Sequence, residues 1–136
     1  MNNHHDFSLQ QRIYYEDTDA LGIVYYANYL RFMERARSEW LWHLGFCFDQ
    51  FAEQQNLAFA IHNVTIDYRA PARLKDIILC TCSLNTFGKT SMTFDQSVIN
   101  ADNNDIIYCS GTVRVVCITL DGKPRNIPQE FLEALK

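Results

Sequence analysis

The chain has 136 residues, the usual size of one globular domain, so we predict a single domain over residues 1–136. Hydrophobic residues make up 48% and charged residues 21% of the chain, which excludes the composition of disordered proteins. The net charge of −4 argues against a nucleic-acid-binding protein, because such surfaces need a strongly positive field. Any anionic ligand must therefore meet a local cluster of basic residues.

No apolar run approaches the roughly 20 residues that span a bilayer, and residues 1–6 lack the basic and apolar segments of a secretion signal. We therefore expect a cytoplasmic protein that does not cross a membrane. The five cysteines lie beside apolar neighbours and form no Cys-x-x-Cys pair, which is typical of reduced core thiols. Nothing near Cys80 and Cys82 completes a zinc site, so we predict no metal. His4 and His5 are predicted to belong to a polar tail.

Residues 7–14 alternate apolar and polar side chains as a half-buried strand does. Residues 15–22 pack three carboxylates and a glycine together, a composition that favours a loop. Over residues 28–44 apolar side chains recur every three or four positions, which predicts an amphipathic helix, and Gly45 is a suitable stop. Residues 46–56 form either a short second helix or a loop.

Four further segments have a hydrophobic period of two and are predicted to be strands: residues 57–68, 77–87, 89–99 and 106–120. Their connections, including the break at Pro71, are short enough for hairpins, so we expect antiparallel pairing. Pro128 stands where a short C-terminal helix can begin. Together these elements predict an α+β domain whose sheet of about five antiparallel strands wraps around the long helix. Two long strands would form the sheet edges, which favours self-association.

Residues 17–29 place carboxylates just before a glycine turn and a helix N-terminus. The first N–H groups of a helix lack intrahelical partners and attract developing negative charge. A carboxylate beside such an N–H group meets two requirements for hydrolysing an activated acyl group, an attacking group or base and a donor to the oxyanion. The simpler alternative is that Asp17 or Asp19 only caps the helix or supports a turn.

The run over residues 14–29, with its Asp-x-x-Gly segment and flanking aromatic residues, resembles the hot dog-fold acyl-CoA thioesterases of the 4-hydroxybenzoyl-CoA thioesterase family. Residues 64–76 and 123–128 resemble the branch encoded with the Tol-Pal envelope system, the YbgC-type thioesterases. The resemblance implies a hot dog fold and hydrolysis of acyl-CoA thioesters to a carboxylic acid and free coenzyme A. It also implies a homodimer or homotetramer that needs no metal or redox cofactor.

The family pattern implies that Asp19 is the catalytic nucleophile or general base. It also implies that the main-chain N–H of Tyr26 polarises the thioester carbonyl, with Gly22 allowing a tight approach. Further residues are candidates for substrate binding, namely Tyr25 and Tyr29 at the acyl group and Arg73, Lys89 and Arg125 at the coenzyme A phosphates.

Several alternatives stay open at this point. Glu34 either faces the pocket as a second carboxylate or pairs on the helix surface with Arg37 or Ser38. His62 is predicted to be a satisfied histidine in a buried part of its strand. A hot dog hydratase or dehydratase is a rival function, but no histidine lies near Asp19 in the sequence. The other rival is a non-enzymatic module that binds acyl carrier protein or an envelope complex.

Overall fold

The computed structural model describes residues 6–135, so His4 and His5 lie outside the described part. Its strands are β1 (Phe7–Arg12), β2 (Ala58–Tyr68), β3 (Ile77–Phe87), β4 (Ser91–Asn100) and β5 (Ile107–Ile118), and its α-helices are α1 (Asn28–His43), α2 (Phe48–Gln55) and α3 (Gln129–Leu135). A short 3-10 turn, Tyr15–Asp17, follows β1. Within the described residues, no helix combines the length and apolar character needed to cross a bilayer.

Helix α1 forms because its apolar side chains recur on one face, and that face packs against the sheet. It begins at Asn28 as predicted, and Gly45 beyond its end adopts a φ of +93°. Ser38, a candidate surface partner of Glu34, is buried. The buried side chains of α1 are Tyr29, Phe32, Met33, Ala36, Ser38, Trp40 and Leu41.

Four of the five cysteines confirm the prediction of reduced core thiols, because Cys80, Cys82, Cys109 and Cys117 are buried and free. Cys80 and Cys82 share the inner face of β3, and Cys47 is only partly buried. Burial raises the pKa of both Cys82 and Cys109 to about 12.

The five strands form one antiparallel sheet in the order β1-β3-β4-β5-β2. The predicted hairpins β3–β4 and β4–β5 are confirmed, but the predicted hairpin across Pro71 is wrong because β2 pairs with β5. Strand β3 pairs instead with β1, where Arg12 lies opposite Ile77. The connection from β2 to β3 crosses to the start of α1, and the Ala72 carbonyl accepts the N–H of Val24 at 2.9 Å.

The two sheet edges differ in length, since β1 has 6 residues and β2 has 11. Only one of the two predicted long edges is therefore present. Residues 61–65 of β2 are all exposed, because no strand pairs with the outer edge of β2 within the described residues. The predicted burial of His62 is wrong for the same reason, and a bulge between Ile61 and Asn63 also displaces it from the regular ladder.

Candidate active site

Asp19 lies in an exposed turn between the 3-10 turn and α1. Its carbonyl accepts the N–H of Gly22 at 3.1 Å, and its N–H donates to the Ile23 carbonyl at 2.9 Å. Gly22 has a φ of +79°, a left-handed conformation that glycine adopts without steric cost. Asp19 Oδ1 accepts the N–H of Leu21 at 2.8 Å, whereas Oδ2 has no hydrogen-bond partner among residues 6–135. Asp19 therefore supports the turn and keeps one carboxylate oxygen free.

Asp17 joins this turn to the beginning of α1. Its Oδ2 accepts the N–H of Tyr14 at 2.9 Å, while its carbonyl accepts the N–H of Tyr25 at 3.1 Å. The same carbonyl accepts Nδ2 of Asn28 at 2.9 Å. These bonds hold the 3-10 turn and the helix start in one arrangement, so Asp17 orients the site.

The N-terminus of α1 presents two unpaired backbone donors at Tyr26 and Ala27. Neither N–H has an acceptor within the described residues, and Ala27 at the N-cap has no side chain that could cap the helix. The Tyr26 carbonyl, in contrast, accepts the N–H of Tyr29 at 3.4 Å and the hydroxyl of Tyr68 at 3.3 Å. The peptide between Tyr26 and Ala27 is therefore held through its carbonyl, while the N–H groups of Tyr26 and Ala27 both stay available to a ligand.

Four tyrosines surround this helix start. The Tyr26 ring lies 5.0 Å from the ring of Tyr25 and 6.0 Å from that of Tyr68, while Tyr29 lies 5.7 Å from Tyr68. Tyr25 and Tyr26 are exposed, but Tyr29 is only 3% exposed and its hydroxyl accepts the N–H of Ala72 at 3.0 Å. Burial raises the pKa of Tyr29 and Tyr68, so both hydroxyls are neutral. Tyr29 supports the site from beneath, and its contact with substrate stays a prediction.

The basic candidates lie at opposite ends of the sheet. Arg73 is exposed beside the Asp19 turn, where it forms an isolated β-bridge with Ile23. Lys89 and Arg125 lie together at the other end, since the Lys89 carbonyl accepts the N–H of Ile127 at 2.8 Å. Strand β4 runs between the two ends, so they are separated by roughly 30 Å at about 3.4 Å per residue. Arg125 also donates from Nε to the Gln55 carbonyl at 3.1 Å.

A cavity of about 370 Å³ opens between α1, α2 and the inner face of the sheet. Three polar residues of α1 line it, and each takes part in a hydrogen bond within the protein. Ser38 Oγ donates to Glu34 Oε2, and Arg37 donates from Nη1 to Gln96 Oε1 at 2.8 Å. Glu34 thus faces the cavity and also contacts Ser38. The remaining lining residues are Leu41, Ala52, Leu57, Ala58, Phe59, Ile61, Met92, Phe94 and Val115.

Sequence reasoning missed two residues at the helix start and the whole cavity. Tyr68 ends an alternating strand just before Pro71, and Asn28 is the first residue of the predicted helix, but neither position signals a contact. The cavity forms only where α2 and β2 approach α1, which no local pattern shows. Within the described residues, no three His, Cys, Asp or Glu side chains gather in a group that could hold a metal ion.

Comparison with known proteins places this geometry in a family. The family model described as the thioesterase superfamily matches residues 21–107. The chain belongs to this superfamily. It is 40% identical over 126 residues to the acyl-CoA thioester hydrolase YbgC of Escherichia coli O6:H1, covering 92% of each chain. The predicted resemblance to the YbgC-type thioesterases is therefore confirmed.

Solved structures of the superfamily show the same fold. A 1,4-dihydroxy-2-naphthoyl-CoA thioesterase from Synechocystis matches with a TM-score of 0.88 at 23% identity, covering 95% of this chain and 94% of that chain. A 4-hydroxybenzoyl-CoA thioesterase complexed with 4-hydroxybenzoyl-CoA matches with a TM-score of 0.86 at 19% identity, covering 95% of this chain and 97% of that chain. The predicted hot dog fold is thus confirmed for this thioesterase.

Proposed function

We propose that the chain hydrolyses acyl-CoA thioesters to a carboxylic acid and free coenzyme A, with Asp19 and the N–H of Tyr26 as the reacting groups. The observation that carries the proposal is the junction of turn and helix, where an unpaired carboxylate oxygen and unpaired backbone donors occur together. The relation to the E. coli acyl-CoA thioester hydrolase supports the same substrate class.

In the proposed reaction, the thioester oxygen accepts the Tyr26 N–H, which draws electron density from the carbonyl carbon. Asp19 Oδ2 then attacks that carbon, the C–S bond breaks, and coenzyme A leaves as a thiolate that takes up a proton. Water hydrolyses the resulting anhydride to the free acid and restores the carboxylate. In the alternative step, Asp19 removes a proton from the water that attacks the carbon directly. A donor placed at an oxyanion is typically worth about 10²–10³ in rate.

The open edge of β2 supports a further part of the proposal, a dimer in which two β2 strands pair antiparallel. Two-fold symmetry then places the Tyr68 end of one β2 beside the Ala58 end of the other. Lys89 and Arg125 lie at the end of the sheet that contains Ala58. In the dimer, the Lys89 and Arg125 of one copy therefore lie at the same end as the Asp19 of the other copy. Arg73 and Lys89 can thereby meet the phosphates of one coenzyme A. We expect a homodimer, or a homotetramer built from such dimers.

The test of the reaction is free-thiol release from a panel of acyl-CoAs by the native protein and by Asp19→Asn. Turnover should fall by at least about 10³ in the variant, because amide oxygen is neither a nucleophile nor a base at neutral pH. Asp102→Asn is the matched control, an exposed loop carboxylate outside the site, and should keep full activity. Near-normal turnover by Asp19→Asn in a folded protein would refute the assignment.

Two additional measurements separate the alternatives. In a single turnover in ¹⁸O-labelled water, label found in Asp19 identifies the anhydride, because only water that opens an anhydride at the Asp19 carboxyl carbon leaves oxygen there. Direct attack by water on the thioester leaves Asp19 unlabelled. Light scattering should give a particle of at least two 15.9 kDa chains, and a stable monomer would contradict the pairing of β2 strands. Tight binding of acyl carrier protein with no turnover of any thioester would favour the non-enzymatic module instead.

A further inference from the structure

An apolar groove leads from the helix start to the cavity. It lies between exposed positions of α1 spaced four residues apart and the face of β2 that looks toward α1. The ring contact of Tyr68 with Tyr26 identifies that face of β2, and the bulge at His62 keeps Ile61 on it. We define the groove by Tyr26, which precedes α1, by Leu30 and Glu34 of α1, and by Tyr68, Val64 and Ile61 of β2.

Within a single chain, the groove is uncovered along its apolar middle. Leu30 is 40% exposed, Val64 38% and Ile61 52%, and these side chains lie on both walls of the groove. Ile61 and Glu34 also line the cavity, so the groove and the cavity are continuous. An acyl group whose carbonyl meets the Tyr26 N–H can therefore extend along the groove with its tail in the cavity.

The cavity suits a hydrocarbon tail better than a polar one. Nine of its twelve lining residues are apolar, and the three polar ones lie on a single helix. Ser38 and Arg37 are already bonded to Glu34 and Gln96. Within the described residues, no buried side-chain nitrogen or oxygen lacks a hydrogen-bond partner. A charged group on the tail would lose its hydration among these apolar side chains, a cost that a methyl end does not meet.

The dimensions set the length of the acyl group. Tyr26 and Glu34 are eight residues apart, so about 12 Å of helix separates them at ~1.5 Å per residue. An extended hydrocarbon advances roughly 1.3 Å per carbon, given C–C bonds of about 1.5 Å, and needs about nine carbons to reach Glu34. The cavity beyond holds on the order of ten more non-hydrogen atoms at about 30 Å³ each.

We propose that the substrates of this thioesterase are linear, saturated acyl groups of more than about nine and up to about 19 carbons, whose tails are buried in the cavity. The proposal rests on the proposed function, because it takes the Tyr26 N–H as the position of the thioester carbonyl. Acetyl, short branched and single-ring aromatic groups would end in the groove and leave the cavity empty.

The first experiment measures kcat/KM for a series from hexanoyl-CoA to eicosanoyl-CoA at concentrations below micelle formation. We expect an increase of about fourfold per carbon between decanoyl and tetradecanoyl, which is the ~0.8 kcal/mol gained for each buried methylene. Dodecanedioyl-CoA, which ends in a carboxylate, should react at least tenfold more slowly than dodecanoyl-CoA. Equal kcat/KM values for these two substrates would refute the proposal that the tail is buried in the cavity.

The second experiment shortens the cavity with Ala52→Leu. The three added carbons occupy space that the tail would fill, so the optimum should move to chains shorter by about three carbons. Ala134→Leu is the matched control, because Ala134 is an exposed helical alanine outside the cavity, and its profile should match the native one. Ala52→Val adds less volume and should shift the optimum by about two carbons if the leucine variant does not fold.

The outcomes separate this inference from the proposed function. A flat length profile, or an optimum that Ala52→Leu and Ala52→Val both leave unchanged, would overturn the tail site. If Asp19→Asn still abolished turnover in that case, the reaction itself would stand. Turnover that does not depend on Asp19 for any acyl-CoA would remove the proposed function and this inference together.

Discussion

Replacing Gly111 with alanine should force β2 away from β5. Gly111 pairs with Ile66 of β2 and with Gln96 of β4. A Cβ at Gly111 would lie 2.0 Å from the carbonyl oxygen of Thr65 and 3.0 Å from the Cα of Ile66. Both neighbours are backbone atoms, so no side-chain rotation relieves the contact. Strand β2 must retreat by at least about 1 Å before the Cβ reaches an ordinary contact distance.

The cost follows from that displacement. Overpacking a tight site costs typically about 1–3 kcal/mol, and two ladder hydrogen bonds lost beside it cost about 1 kcal/mol each. We therefore expect Gly111→Ala to lower the free energy of unfolding by roughly 3–5 kcal/mol, a large share of the stability of an ordinary domain. Activity should fall as well, because β2 carries Tyr68 and one wall of the groove.

Urea unfolding monitored by circular dichroism checks this expectation, with two glycine variants as comparisons. Gly88→Ala should change stability by less than about 0.5 kcal/mol, because its Cβ would meet only Ser91 Oγ at 3.7 Å. In Gly22→Ala the Cβ has open space around it, but the residue keeps a φ of +79°, which is unfavourable for alanine. This variant should lower the free energy of unfolding by about 1–2 kcal/mol. A Gly111→Ala variant within 1 kcal/mol of the native protein would refute the steric reasoning.

Three further predictions concern the interior. Gln96→Leu should lower the free energy of unfolding, measured in urea, by about 2–3 kcal/mol. The variant removes the acceptor of Arg37 and the amide that donates to the Met33 carbonyl. An unchanged free energy of unfolding would contradict this expectation. Mass spectrometry after alkylation at pH 8 should find one modified cysteine, Cys47, in the native protein and five after denaturation, since the other four thiols are buried. Burial holds the pKa of Cys82 and Cys109 at about 12 against 9.0 in the unfolded chain. The contribution of these thiols to stability should therefore be constant below about pH 8 and fall as pH rises toward 12, by up to ~1.4 kcal/mol per pH unit for each thiol. Urea titrations at pH 8, 9.5 and 10.5 measure that slope, and Cys109→Ala should reduce it.

The helices and strands that follow from a pattern of neighbouring residues were predicted from the sequence. The helix over residues 28–44 and the four later strands follow from hydrophobic periods of 3.6 and 2, and the structure places their ends within a few residues of the predicted ones. Support of the turn was one of the roles that the sequence offered for Asp17, and its bond to the N–H of Tyr14 agrees with that role. Such features depend on neighbours in the chain.

Features that depend on distant parts of the chain were predicted less well. The hairpin at Pro71 was wrong because a short connection permits pairing of its two strands but does not exclude a crossover. Burial of His62 was wrong because period-two alternation cannot distinguish an edge strand from a central one. Lys89 and Arg125 were grouped with Arg73 by charge, whereas the length of β4 separates them within one chain.

The position of β2 in the sheet determines when the site can be completed as the chain is made. Tyr68 pairs with Cys109 and Ala58 with Ile118, so β2 leaves the ribosome well before its partner strand. The hairpins β3–β4 and β4–β5 join neighbouring strands and can form early. Strand β2 can pair with β5 only after a loop of at least 41 residues has closed. Refolding should therefore show β-sheet signal before enzyme activity, because β2, which pairs only after a long closure, also supports the N-terminus of α1.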